Sequence, residues 1–193
     1  MNAKNRAIVT IICTAAVIAL VTILTRSHSD NFGKMGPMAS TTTMKLQSRA
    51  FSEGQTIPVK YTCDGAQMIP PLTISGVPEN AKSLALIVED PDTSRGTFTH
   101  WVVFNIPPDT SAIEESTPKL SPTFGIAGKN GAGTNEYLGP CPPSGTHRYM
   151  FKLYALDATL NLAAGASKED VLSAMKGHEI TKTVLLGMYG RSK

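Results

Sequence analysis

The clearest strand in this chain of 193 residues is Arg148-Tyr149-Met150-Phe151-Lys152-Leu153-Tyr154-Ala155-Leu156. Apolar side chains alternate along it, so that Tyr149, Phe151, Leu153 and Ala155 fall on one face. A period of two residues is typical of a strand that turns one face toward a hydrophobic core. The segment therefore predicts a β-strand with one buried face.

Further strand-like runs lie on both sides of this segment, at residues 44–51, 56–62, 83–88, 101–106 and 181–189. Turns rich in proline and glycine separate them, which fits an all-β sandwich. One helix is also predicted: Ser167 is a good N-cap, the acidic Asp170 follows three residues later as in a capping box, and Gly177 ends the segment. We expect a mostly β domain over residues 44–193 with one short helix near its C-terminal end.

The first 26 residues have the pattern of a transmembrane signal anchor. Lys4 and Arg6 precede an uncharged, mostly apolar run at 7–25, and Arg26 closes it. A helix of that length spans about 28 Å, close to the thickness of the hydrocarbon core of a bilayer. No small-residue cleavage site follows, which favours an uncleaved anchor over a secretory signal peptide, although cleavage stays an alternative.

The positions of the basic residues predict the orientation of this anchor. Cationic residues before a membrane span keep the N-terminus in the cytoplasm. The sequence thus predicts a single-pass protein of the inner membrane, with residues 27–43 as a flexible tether and residues 44–193 on the periplasmic or extracytoplasmic side.

The net charge argues against a nucleic-acid partner. The chain has 18 basic and 15 acidic residues, and Lys4, Arg6 and Arg26 account for the whole difference of +3. Residues 27–193 are therefore neutral and lack the basic surface that nucleic-acid binding requires. Neither the spacing of a zinc site nor a Gly-x-Ser-x-Gly nucleophile motif is present, so no metal, cofactor or catalytic residue is predicted.

The first group of candidate ligand-binding residues surrounds the Asp90-Pro91-Asp92 turn, which directly follows the apolar run at 83–88. His100 stands just before the next apolar run, where a partly buried imidazole needs a hydrogen-bond partner. Each feature also has a purely structural explanation, because aspartates favour turns and a single histidine is often a core residue.

The second group follows the turn Gly139-Pro140-Cys141-Pro142-Pro143, where prolines restrict the backbone. His147 begins the strand after this turn, and strand alternation directs Tyr149 to the same side. Arg148 then points to the opposite face and is expected to have a structural role. Together with the first group, these residues predict a preformed pocket.

The cysteines leave two alternatives open. Cys13 lies within the predicted membrane span, whereas Cys63 and Cys141 both lie in turn-rich parts of the predicted exported domain. In an oxidising compartment such a pair can form a disulfide. Two separate buried thiols are the other possibility.

Several motifs in the same order resemble those of one family: Cys63-Asp64-Gly65, Pro70-Pro71-Leu72, Asp90-Pro91-Asp92, His100-Trp101-Val102-Val103, Gly139-Pro140-Cys141-Pro142-Pro143 and His147-Arg148-Tyr149. Over residues 44–190 the chain resembles the phosphatidylethanolamine-binding protein family, particularly its bacterial Raf kinase inhibitor-like branch. The resemblance implies a sandwich of two antiparallel sheets with a small anion-binding pocket near one end. It also implies that the turns of Cys63 and Cys141 both border this pocket.

Carried over by motif, the ligand-binding residues that the resemblance implies are Asp90, Asp92, His100, Pro142, His147 and Tyr149. Similar proteins hold phosphate, phosphoethanolamine head groups or acetate there. The resemblance predicts a binding module, not an enzyme, whose partner is a small anionic ligand, a phospholipid head group or a protein that presents such a group. The alternatives are an inhibitor of proteases or other enzymes that acts through a surface loop, and a weak hydrolase that uses a His–Asp pair.

Overall fold

The computed structural model describes residues 43–118 and 122–191. The strands in these ranges are β1 (Lys45–Ser48), β2 (Gln55–Thr56), β3 (Leu72–Ser75), β4 (Ser83–Asp90), β5 (Phe98–Ile106), β6 (Ala112–Ile113), β7 (Ile126–Ala127), β8 (Thr146–Leu156) and β9 (Glu179–Gly190). Helix α1 (Lys168–Met175) lies between β8 and β9. The predicted mostly β fold with two sheets and one helix is confirmed.

The strands form a small sheet with the order β1-β3-β6 and a larger one with the order β2-β9-β8-β4-β5-β7. The prediction that both sheets are antiparallel is wrong at one edge, where β2 pairs parallel with β9. The predicted strand at 56–62 is also wrong, because the chain leaves β2 and forms a 3-10 turn at Val59–Tyr61. Pro58 explains the change, since its nitrogen has no hydrogen to donate to a ladder.

The centre of the larger sheet is buried on both faces, and this explains the two kinds of apolar pattern in the sequence. One face of β8 contributes Tyr149, Phe151, Leu153 and Ala155 to the main core, as their alternation predicts. The small sheet adds Leu46, Leu72 and Ile74 to the same core. The opposite face packs against α1, and every residue of β4 is buried. A central strand covered on both sides needs a continuous apolar run, as at 83–88.

Helix α1 begins at the predicted capping box. The Ser167 hydroxyl accepts a hydrogen bond from the Asp170 N–H at 3.1 Å, and the Asp170 carboxylate accepts one from the Ser167 N–H at 3.0 Å. These bonds satisfy two N–H groups that the first turn of a helix leaves free. Val171 and Met175 then turn inward and anchor the helix on the larger sheet.

The predicted anchor at 1–26 and the tether up to residue 42 lie outside the described residues. Within the described ranges, no helix is both long and apolar enough to cross a membrane.

Candidate functional site

A cavity of about 350 Å³ opens at the end of the larger sheet where β4 ends and β5 begins. Two turns, at 63–67 and 138–143, complete its wall. Its lining residues are Cys63, Gln67, Asp90, Thr93, Phe98, His100, Leu138, Gly139, Cys141 and Pro143. The volume is at the lower end of the range for small-molecule sites. A head group or another small fragment fits this space better than a large ligand.

The two turns of the wall are held together covalently and by close backbone contact. A disulfide joins Cys63 and Cys141, whose Cα atoms are 5.4 Å apart, and the Cys63 N–H donates to the Pro140 carbonyl at 3.1 Å. A Cβ atom on Gly139 would lie 2.8 Å from the Tyr61 carbonyl oxygen, so only glycine allows this approach. The wall is therefore preformed.

Asp90 is the last residue of β4 and is almost completely buried, with 2% of its surface exposed. One carboxylate oxygen accepts a hydrogen bond from His147 Nδ1 at 2.7 Å, and the other accepts one from the Asp92 N–H at 2.8 Å. A buried carboxylate is tolerated only with such partners. These two bonds fix the orientation of the carboxylate at the cavity wall.

His100 reaches the cavity through an irregularity in the β4–β5 ladder. Trp101 pairs with Val88 and Thr99 pairs with Glu89, which leaves His100 as the additional residue of a β-bulge. Bulges redirect side chains and are frequent next to functional sites. The alternation of apolar residues cannot show this bulge, because it depends on the register between two strands.

The hydrogen bonding of His100 determines its tautomer. Its Nδ1 lies 2.8 Å from the Leu138 carbonyl oxygen, which can only accept, so Nδ1 carries a hydrogen. Burial lowers the pKa of the imidazole, against smaller upward effects of the Leu138 bond and of Asp90. The neutral ring therefore offers an acceptor at Nε2. The rings of Phe98 and Tyr149 hold it edge-on, at centroid distances of 5.0 and 5.2 Å.

Asp92 is directed away from the cavity lining and pairs with Arg148. The guanidinium Nη2 lies 2.6 Å from Asp92 Oδ1, and the Arg148 N–H donates to Oδ2 at 2.8 Å. The hydrogen bond from the Arg148 side chain, followed by that from its backbone, lowers the pKa of Asp92 to about 2. This pair fastens the acidic turn to the start of β8.

The remaining predicted residues stand behind the lining. His147 supports Asp90 without lining the cavity, and Tyr149 packs against His100. The Tyr149 hydroxyl is buried and makes no hydrogen bond of acceptable geometry within the described residues; burial, then the charge of Asp90, raises its pKa. Pro142 is buried, and the neighbouring Pro143 lines the cavity instead.

Gln67 is a lining residue that the sequence analysis missed. Its Oε1 accepts a hydrogen bond from the Gly139 N–H at 3.4 Å, which leaves its amide N–H groups without a partner among the described residues. Its backbone has a positive φ of 52°. Gln67 follows the Cys63-Asp64-Gly65 motif closely in sequence, and that proximity is the only signal that could have indicated it.

Among the residues that the structure describes, no cluster of three histidine, cysteine or acidic side chains could hold a metal ion. The cavity instead combines apolar walls with one buried carboxylate, one neutral imidazole and an amide. This arrangement suits an organic ligand with a polar end, held by a few directed hydrogen bonds.

Comparison with known proteins identifies the family. The sequence model of the phosphatidylethanolamine-binding proteins matches residues 47–190. A UPF0098 protein of Methanothermobacter thermautotrophicus is 53% identical over 150 residues, which cover 77% of this chain and 99% of the relative.

Two solved structures show the same fold. A phosphatidylethanolamine-binding protein homologue from Chlamydia trachomatis superposes with a TM-score of 0.74 and 44% identity, covering 78% of this chain and 99% of its own. YbcL of E. coli superposes with a TM-score of 0.71 and 28% identity, covering 77% and 99%. The similarity to YbcL agrees with the bacterial branch that the motifs suggest. The chain belongs to the phosphatidylethanolamine-binding protein family.

Proposed function

We propose that residues 44–193 form a binding module that holds the acidic end of a small ligand in this cavity. The ligand end is a phosphate, a phospholipid head group or a carboxylate. The observation that carries this proposal is the meeting of Asp90 and His100, both buried, at the wall of an otherwise apolar cavity. A few polar groups at the wall of an apolar cavity are typical of a recognition site.

The side-chain amide of Gln67, which lines the cavity, supports an acidic ligand group. The amide of Gln67 is free on its N–H side within the described chain. Prolines at 140, 142 and 143 have no N–H, and the backbone N–H of Cys141 faces the Tyr149 hydroxyl, where it opposes the rise that burial causes in the pKa of that phenol. The apolar surfaces of Phe98 and Leu138 suit the carbon part of a ligand.

Native mass spectrometry of the purified full chain tests this proposal directly, because a bound small molecule adds its mass to the protein. Calorimetric titration with methyl phosphate and with acetate provides the second measurement. His100→Phe keeps a ring in place but removes both nitrogens, so it should abolish binding. His178→Phe is the matched control, since His178 lies in an exposed pair with Asp157 elsewhere. Binding that survives His100→Phe, or no binding at all, would contradict the proposal.

We further propose that residues 1–26 anchor this module in the inner membrane with the domain on the extracytoplasmic side. The disulfide in the cavity wall supports an oxidising location. N-terminal sequencing of the mature protein is the test. A free N-terminus between residues 27 and 45 would exclude the anchor and leave export intact.

The same experiments address the two alternatives. Turnover of a panel of esters and phosphoesters would indicate a hydrolase built on the His147–Asp90 pair. Inhibition of a protease that persists in His100→Phe would indicate an inhibitor that acts through a surface loop.

A further inference from the structure

The cavity presents hydrogen-bond acceptors where an anion site normally presents cations. Of the side chains that line it in the described part of the chain, Asp90 carries the only formal charge at neutral pH. Lysine and arginine are absent from that lining. A fully ionised oxyanion placed here would meet a buried negative charge, which opposes binding.

The imidazole of His100 does not offset this charge. Its Nδ1 hydrogen is committed to the Leu138 carbonyl, so the neutral ring offers only a lone pair at Nε2. That nitrogen has no partner among the described residues and is not sealed from solvent, since Tyr149 Oη is the only buried side-chain polar atom there without a hydrogen bond. His100 therefore adds a second acceptor to the cavity wall.

The basic side chains of neighbouring elements do not line the cavity, and these include the exposed Arg95 in the turn between β4 and β5. From β8, His147 directs Nδ1 to Asp90, and the phenol of Tyr149 is uncharged. Arg148 is neutralised by its pair with Asp92. Across the cavity, the turns at 63–67 and 138–143 contribute the disulfide, an amide and apolar groups to the lining, while Asp64 pairs with Arg191.

We propose that the cavity accepts its ligand's acidic group with a proton attached, as a singly protonated phosphomonoester, and rejects oxyanions that carry no proton. The hydroxyl of the ligand donates to Asp90 or to His100 Nε2, and its charged oxygens accept from the Gln67 amide. This inference rests on the proposed function and narrows its ligand to a phosphomonoester, because a phosphodiester head group and an ionised carboxylate carry no such proton.

Methyl phosphate and methyl sulfate form the decisive pair of probes. As monoanions they have the same charge and nearly the same shape, and only the phosphate ester carries a hydroxyl hydrogen. The second pKa of a phosphomonoester is about 6. A hydrogen bond to a buried charged group predicts a preference for the phosphate monoanion of about 10- to 150-fold.

The experiment is calorimetric titration of the full chain with both esters between pH 6.5 and 8.0. The affinity for methyl phosphate should fall by about 25-fold over this range as its monoanion disappears. Titrations in two buffers of different ionisation enthalpy should show uptake of close to one proton per bound ester at pH 8.0. Methyl sulfate should bind weakly and without this pH dependence.

Asp90→Asn tests the acceptor itself, because an amide can donate to an oxyanion. Its ratio of phosphate to sulfate affinity should approach one, whereas Asp157→Asn, in the exposed pair with His178, should keep the wild-type ratio. If Asp90→Asn does not fold, the wild-type pH series decides alone.

Equal binding of both esters with no proton uptake would overturn this inference and leave the proposed function standing. Equal pH dependence of both esters would assign the proton to an imidazole and also overturn it. Failure of both esters to bind at any pH would overturn both proposals.

Discussion

Replacing Cys63 and Cys141 together by serine should destabilise the domain more than any single loss of a hydrogen bond in the site. The disulfide closes a loop with a sequence separation of 78 residues. In the chain-entropy model, releasing such a loop in the unfolded state costs about 4.5 kcal/mol of folding free energy. For a domain of this size, that loss lowers the melting temperature by about 9–18 °C. Ligand binding in the cavity should weaken as well, because the disulfide connects two turns of the cavity wall.

Thermal unfolding of the full chain, followed by circular dichroism with and without a reductant, measures this effect. Wild-type protein with reductant should melt like the double serine variant, and Cys13→Ser should melt like untreated wild type. Thiol counting under denaturing, non-reducing conditions should find one reactive thiol, that of Cys13, because the other two cysteines are paired.

Two results would refute this reasoning. Three reactive thiols in the wild type would show that the bond does not form in solution. A double variant that melts within about 2 °C of wild type would show that the bond forms but that the unfolded chain gains little freedom without it.

Three further predictions concern single residues. His147→Ala removes one of the two hydrogen bonds to the buried carboxylate of Asp90 and should lower the free energy of unfolding by about 1.5–3 kcal/mol in urea titration. His178→Ala, in an exposed pair, should lower it by less than about 1 kcal/mol. Equal losses would contradict the structural role of the buried His147–Asp90 pair. Gly139→Ala places a Cβ atom 2.8 Å from the Tyr61 carbonyl oxygen and should cost about 1–3 kcal/mol; a neutral result would show that the two turns separate easily. Burial lowers the pKa of His100 in the folded state below the value of about 6.5 that the histidine has in the unfolded chain. The folded state therefore binds fewer protons than the unfolded state, and the free energy of unfolding falls as the pH drops from about 6.5 toward the pKa of the folded state. Urea titrations at pH 7.5 and pH 5 should therefore show a larger loss for wild type than for His100→Gln, and the opposite order would disprove the burial argument.

Local patterns in the sequence predicted the architecture because the interactions behind them are local. The alternation of Tyr149, Phe151, Leu153 and Ala155 follows from the geometry of one strand, and all four lie in the main core. The capping box of Ser167 and Asp170 is complete within four residues. The strand predicted at 56–62 from its β-branched residues does not form, because Pro58 has no N–H to donate to a strand ladder.

The order of the motifs along the chain was enough to identify the family, and local patterns indicated Asp90 and His100 as candidate site residues. It could not determine which candidates face the cavity. Asp92 pairs with Arg148, a contact 56 residues apart in sequence, and Pro143 lines the wall in place of Pro142. These roles depend on contacts between segments that are distant in sequence.

The hydrogen bonds of the two site histidines are of this long-range kind. The Nδ1 atoms of His100 and His147 meet partners 38 and 57 residues away. Which ring nitrogen remains free, and whether it donates or accepts, follows from those partners and from the bulge that redirects His100. The identities of the polar residues are written in the sequence, but their protonation and direction arise only when distant segments pack together and exclude water.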